Sequence, residues 1–175
     1  SSPSRGLGDV YKRQSLKRFS CLFVFLFFNF SLLSENKKSM SMIGYWLTSQ
    51  SIVQVKECDQ SLCAIIEVIF VGDGTAQESI LDNNNKDKSL RKRSLVGINL
   101  ISDFAYKEGS IKLSGGKIYD PGRGRTFKGN IYLLQNGNLK VEGCLLRMCG
   151  HEEWKPVDVM FNDDGTRTAT LKEII

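Results

Sequence analysis

Beyond residue 39 the apolar positions recur mostly every second residue, in short runs separated by turn-forming residues. Segments 43–48 and 52–57 are short and alternating or β-branched, and 62–71 is a longer apolar run suited to a strand buried on both faces. Segments 95–101, 111–118, 126–134 and 139–144 continue the series. Phe127, Ile131 and Leu133, then Leu139 and Val141, keep a period of two, which turns one side of each strand toward a common interior. The Asn136-Gly137 pair supplies the positive φ angles of a tight hairpin, so 126–134 and 139–144 are predicted antiparallel neighbours. Ser114-Gly115-Gly116 predicts a bulge or corner within a strand. No segment sustains a helical period, apart from a turn near 77–82, and the polar stretch 72–93 predicts a mobile surface loop. Seven or eight sequential strands joined by hairpins predict an all-β fold, an antiparallel up-and-down barrel of about eight strands. Its interior is either filled or holds one small ligand.

The N-terminal pattern is different. Lys17 and Arg18 precede an apolar run beginning at Cys21 and ending near Leu33, the arrangement of a secretory signal peptide over residues 15–38. The run is shorter than the roughly 20 residues of a spanning helix, and Asn29 interrupts it, so a retained membrane anchor is the weaker reading. No A-x-A site is present, and cleavage is expected between Ser34 and Ser41. Residues 1–14 end in Asp9-Val10-Tyr11-Lys12-Arg13-Gln14, which reads as a translated sequencing adapter, and are expected to be an assembly artefact. The expected organisation is then a barrel domain over 39–158 and a C-terminal extension over 159–175. Asn162-Asp163-Asp164-Gly165 in that extension could turn an extra hairpin.

Charge changes the picture only by its location. The chain carries 24 Lys and Arg against 19 Asp and Glu, but the excess lies before residue 39 and the rest is balanced. A basic protein that is neutral over its folded part gives no footprint for nucleic acid, and none is expected as a partner.

Cys58, Cys63, Cys144 and Cys149 form two pairs with the same five-residue separation, each bracketing a turn. An even number of cysteines in an exported small domain points to disulfides, with Cys58–Cys63 and Cys144–Cys149 the favoured pairing of the three available. A four-cysteine zinc site would want tighter knuckles, so no metal and no cofactor is expected. His151 is the one histidine, and no activated serine or reactive cysteine surrounds it. A hydrolase using His151 is therefore the weakest functional reading. Residues 82–93 resemble a calcium loop superficially, but Asp87 stands where glycine is needed and Arg93 where a bidentate carboxylate is needed. Leu90-Arg91-Lys92-Arg93 is read as a solvated basic face. Gly122 and Gly124 precede no helix and so mark a turn, not a phosphate cradle. Arg123 and Arg125 are left as contacts for an anionic ligand head group, with Asp120 and Glu142 as alternative partners.

Several spacings together resemble an exported bacterial family, domain-of-unknown-function family 2147. They are Gly44-Tyr45-Trp46; Cys58 with Leu62-Cys63-Ala64-Ile65; Leu90-Arg91-Lys92-Arg93 with Leu95-Val96-Gly97; and Gly115-Gly116-Lys117-Ile118-Tyr119-Asp120-Pro121 leading to Gly124-Arg125-Thr126-Phe127. Leu139 to Cys144 and Glu153-Trp154 complete the set. Departures are Ala64 where glycine is common, Phe127 where tyrosine is, and the extension after Pro156. The resemblance implies a calycin-like or lipocalin-like barrel outside the cytoplasm and a role in holding a small apolar molecule, with no established catalytic residues. Gly44, Trp46, Gly115, Gly116, Asp120, Pro121 and Trp154 are read as structural motif residues, and Tyr119 joins Arg123 and Arg125 as a ligand-contact candidate. Trp46 is expected in the core, as a large aromatic packing anchor.

The functional expectation is a non-enzymatic exported barrel, periplasmic or secreted, that binds a small apolar, amphipathic or lipid-like ligand and has no membrane span after processing. The alternative is a filled barrel that acts through its surface on an envelope protein or glycan. Small apolar residues around an empty interior would favour the first, and close-packed Phe and Ile the second.

Overall fold

A computed structural model describes residues 40–163 and 167–172. The expected signal peptide and adapter-derived segment lie outside the described residues. Ten strands follow one another: β1 Gly44–Leu47, β2 Ser51–Cys58, β3 Ser61–Ile69, β4 Ile101–Ser102, β5 Phe104–Ala105, β6 Lys112–Asp120, β7 Arg125–Leu133, β8 Leu139–Leu145, β9 Met148–Phe161 and β10 Arg167–Leu171. They pair antiparallel in the order β4-β6-β7-β8-β9-β1-β2-β3-β5, with β10 added to β9.

The two ends of that order meet through a single stretch of chain. Ile101 of β4 lies opposite Ile118 of β6, and Phe104 of β5 lies opposite Leu62 of β3, with only Asp103 at φ 62° between the two short strands. Just upstream, Leu100 donates its N–H to the Ala64 carbonyl and accepts the Tyr119 N–H on its own carbonyl, both at 2.7 Å. The result is a nearly closed antiparallel barrel, with eight staves if β4 and β5 are counted as one interrupted stave. Segment 95–101, expected as a continuous strand, is one only at Ile101. The reason is that this run must bridge two strands at once, and the Asn99 side chain takes over part of the ladder, accepting the N–H groups of Ala64 and Ile101 at 2.9 and 3.3 Å.

Hairpin turns fix which end is which. The β6–β7 and β8–β9 turns, with the β1–β2 turn and segment 70–97, define an upper end; the β2–β3 and β7–β8 turns define a lower one. Both disulfides are present, Cys58–Cys63 stapling the lower β2–β3 hairpin and Cys144–Cys149 the upper β8–β9 hairpin.

Inward positions of every stave form one core: Trp46, Val53, Val55, Leu62, Ala64, Phe104, Leu113, Ile131, Leu139 and Trp154 are all buried. Trp46 is buried as expected, and its indole N–H donates to the Met42 carbonyl at 2.9 Å, so the polar edge of the ring is satisfied inside. Phe104 is fully buried against Gly116, where an added Cβ would overlap the ring. The glycine is thus the complement of the phenylalanine. Its neighbour Gly115, at φ 81°, carries the bulge that shifts the β6–β7 register.

Strand β9 is the longest. Its first half pairs with β8, Leu139 opposite Trp154, and its second half lies between β1 and β10, Val157 facing Tyr45 on one side and Leu171 on the other. The β9–β10 hairpin leans on the outer face of β1 to β3, where Arg167 meets Glu67 at 2.7 Å. A cleft of about 240 Å³ lined by Tyr45, Ile52, Val68, Phe70, Val159 and Ala169 lies beneath it, outside the barrel.

Candidate functional site

Segment 72–93 is not the mobile loop its polarity suggests. It is built around Asp82, whose side chain is fully buried. Arg93 donates to Asp82 Oδ2 from both Nε and Nη2, at 3.0 and 2.8 Å. Tyr119 donates its hydroxyl to Oδ1, and Asn85 donates its amide to Oδ2 at 2.7 Å and to the Tyr119 hydroxyl at 2.9 Å. Burial pushes the Asp82 carboxyl upward, but hydrogen bonds from Tyr119, Asn85 and Arg93 outweigh it and hold the group below its ordinary value. The same burial and the facing carboxylate push the Tyr119 hydroxyl up to about 12. Positions one and twelve of the superficial calcium loop are therefore bonded to each other, and the carboxylate that would begin a cation site is already neutralised.

The backbone closes this latch. Asp82 and Arg93 are joined by the Asp82 N–H to the Arg93 carbonyl at 3.0 Å, and Lys86 donates to the Gly124 carbonyl at 3.2 Å. Asn84 reaches the Gly122 carbonyl at 3.0 Å. At Gly124, with φ 59°, an added Cβ would overlap the Asn84 carbonyl, so only glycine lets the loop sit on the β6–β7 turn. Arg91 adds a bond from Nε to the Asn85 carbonyl at 2.7 Å. The basic cluster 91–93 is thus partly structural, with Arg91 and Arg93 engaged.

Beside the latched loop, the inner wall changes character. Register places Phe127 and Gly129 of β7, Gly143 and Leu145 of β8, and Met148, Gly150 and Glu152 of β9 on the same face as buried Leu139 and Trp154, one turn higher. Ile118 fills the space at Gly129, and Phe127 packs on Gly143, but a Cβ at Gly150 would meet nothing within 4 Å. The upper, glycine-lined part of this wall, the mouth, is therefore less filled than the core below it, most of all at Gly150. Glu152, which no local motif singles out, ties this wall together: it accepts the Ser49 N–H at 2.8 Å and the Trp154 indole N–H at 3.0 Å. Only the cross-strand register, which needs the fold, reveals it.

The three proposed ligand contacts come to this end with different duties. Tyr119 has its hydroxyl engaged by Asp82 and Asn85, and its ring lies under the Arg93 guanidinium at 5.8 Å. Arg123 pairs with Asp120 at 3.1 Å and lies 6.0 Å over the Phe127 ring. Arg125 shares the face of Phe127 at the rim, is exposed, and has no carboxylate partner among the described residues. Asp120 also accepts the Arg123 N–H, and Pro121 follows at the turn. His151 stands exposed on the outer face opposite Glu142, whose carboxylate is engaged by Asn130 and Lys140 and held below its usual range by them. Cys144 and Cys149 lie near Glu142, but their sulfurs are bonded to each other.

The sequence profile of a bacterial family, described as an uncharacterized protein conserved in bacteria (DUF2147), matches residues 44–156. The chain belongs to the DUF2147 family. That span takes in both disulfides, the latch and the mouth, and stops before the end of β9 and β10. Among solved structures, this DUF2147 chain is similar to protein HP1028 from the human pathogen Helicobacter pylori, described as belonging to the lipocalin family. Identity is 24%, the alignment covers 68% of this chain and 84% of that one, and the TM-score is 0.58. The likeness shows a lipocalin-like fold. No curated protein matches the chain. Among the described residues no helix is long and apolar enough to cross a membrane, and two disulfides are compatible with export.

Proposed function

We propose that this DUF2147 protein is an exported, non-enzymatic binding module, periplasmic or secreted, that takes an apolar or amphipathic group into the shallow upper mouth of its barrel. The observation that carries this reading is the change along the inner wall. Below, Trp46, Phe104, Leu139 and Trp154 fill the barrel; above, Phe127 covers Gly143 while Gly150 stays open, and Arg125 on the same face has no carboxylate partner among the described residues. A ligand would sit with its apolar part on Phe127 and the glycines and an anionic end toward Arg125.

Native mass spectrometry of the chain from about Ser39, purified from an oxidising compartment, followed by denaturing extraction, tests it. A bound small molecule that leaves only on denaturation is expected. Gly150 has a backbone conformation open to any residue and free space beyond it, so Gly150→Trp should fold normally yet weaken a soluble fatty-acid probe by about tenfold. The second reading, a filled barrel acting through its surface on an envelope protein or glycan, is favoured by the close packing of Phe104, Ile131 and Leu62 below. A clean apo mass together with no probe binding would replace the first reading by the second.

A further inference from the structure

The tip of the upper stapled hairpin is unlike the other hairpin turns among the described residues. It reads Leu145-Leu146-Arg147-Met148, and its apolar side chains point into solvent, Leu146 at 94% exposure and Met148 at 74%. Leu145 and Met148 close the ladder directly above Cys144 and Cys149. Leu146 alone carries the positive φ of the turn, 56°, a place where glycine is the ordinary residue and a γ-branched side chain is strained. Folding therefore gives no reason for leucine there, and such an outlier points to use of the side chain.

We propose that this hairpin tip docks the barrel on an anionic phospholipid surface, with Leu146 and Met148 entering the acyl boundary and Arg147 remaining at head-group level. Charge favours this occupant. Arg125 and Arg147 lie at a strand end and a turn at the same end of the barrel, with Lys92 on the latched loop, while Arg123 and Asp120 in the neighbouring turn offset each other as an ion pair. A few apolar side chains flanked by cations suffice for peripheral attachment to an anionic bilayer. They do not suffice for a protein partner, because a narrow convex finger falls far short of the roughly 800 Å² per side of a stable interface. The staple suits the role. The short turn is closed by the ladder and fixed by the disulfide, so few backbone groups are carried toward the lipid unpaired, and little order remains to be gained on contact. Arginine at the turn can extend its head toward phosphate while its stem stays in apolar surroundings.

The oxidised chain from residue 39, within which all described strands and the core are complete, would be sedimented with vesicles of phosphatidylglycerol and phosphatidylethanolamine, and with phosphatidylcholine vesicles alone. Binding to the anionic vesicles, weakened by salt, is expected. Leu146→Gly relieves the turn, so its melting temperature should not fall, while vesicle binding should drop by about tenfold. Leu171→Ser, an exposed apolar site on β10, should leave binding unchanged. No sedimentation with anionic vesicles, equal binding by Leu146→Gly, or an equal loss in Leu171→Ser would each overturn the proposal. So would self-association without lipid that Leu146→Gly abolishes, which would make the tip a protein contact. The proposal is independent of a ligand in the mouth: Gly150→Trp with the soluble probe reads the mouth, and Leu146→Gly with vesicles reads the tip.

Discussion

The two ends of the barrel use the same covalent device for different purposes. At the lower end Cys58–Cys63 staples a hairpin whose turn, Asp59-Gln60, is polar and whose Cys63 is buried. At the upper end Cys144–Cys149 staples a hairpin of equal cysteine spacing whose turn is exposed and apolar. The difference lies in what the staple supports. Below, it secures the entrance to a filled core; above, it stiffens a projection over a mouth closed on one side by a hydrogen-bonded latch. A lipocalin-like ring can thus be rigid at one end and presentational at the other, with Gly116, Gly129 and Gly143 setting how high the packing rises.

The largest way to break this asymmetry is to empty the filled end. Phe104→Ala should destabilise by about 3–5 kcal/mol, because the ring is fully buried on Gly116, which cannot refill the space. Phe127→Ala, half-buried at the mouth, should lose about 1–2 kcal/mol. Urea denaturation of both variants measures the contrast. Equal losses would mean that the mouth is as densely packed as the base.

Next in size is the latch. Asp82→Asn removes the charge that pairs with Arg93 and should cost about 2–3 kcal/mol, less than a wholly interior pair because the Arg93 side chain is partly exposed. Lys86, Lys88 and Lys92 should then become trypsin sites well before global unfolding. The pH dependence has a definite sign. The Asp82 pKa is lower in the folded protein than in the unfolded chain, so its contribution is complete above the unfolded value near 4 and is lost as pH falls through the folded one. Tyr119 is raised to about 12, so its contribution is complete below the unfolded value near 10 and is lost as pH rises from there through about 12. Asp82→Asn should flatten the acid limb, as read by thermal melts across pH.

The staples come third. Both close short loops of the same length, so chain entropy alone gives each about 2 kcal/mol. Replacing Cys58 and Cys63 together by Ala should cost more than replacing Cys144 and Cys149, since Cys63 also loses buried contacts. Paired chemical denaturation checks the order.

What could be read from the sequence divides along the same line. The staves with a clean period of two, β7 and β8 above all, and the Asn136-Gly137 turn follow from local pattern, as do the two disulfides, whose bracketed turns are hairpin stems. Segment 95–101 misled because its apolar run predicts a continuous strand, while the fold asks it to bond two diverging neighbours and kinks the chain just beyond it at Asp103. The latch was illegible for a stronger reason. Asn and Asp in succession favour a solvated loop, and nothing local shows that Asp82 finds Tyr119 37 residues away. Long-range satisfaction of a buried carboxylate leaves no periodic trace. The mouth suffered likewise: nothing local says which side of the strand Gly150 and Glu152 occupy until the Gly143–Gly150 register turns them inward.

The smallest expected effect sharpens the comparison most. Gln60 and Leu146 both hold positive φ angles at the tips of the stapled hairpins, 63° and 56°, so glycine should relieve both turns by roughly 1 kcal/mol or less, a rise of a few degrees in melting temperature. Nothing distinguishes the two sites in that measurement, and if both staples served folding alone, nothing would distinguish them in any other. Gln60→Gly should be neutral toward anionic vesicles because its turn is polar and sits at the base of the barrel. Leu146→Gly should gain the same stability and lose the attachment. Opposite signs in stability and binding at one residue, with a matched silent site at the other end, cannot arise from general loosening of the fold. A parallel response of the two variants in both assays would remove the functional asymmetry and leave the exposed leucine without a reason.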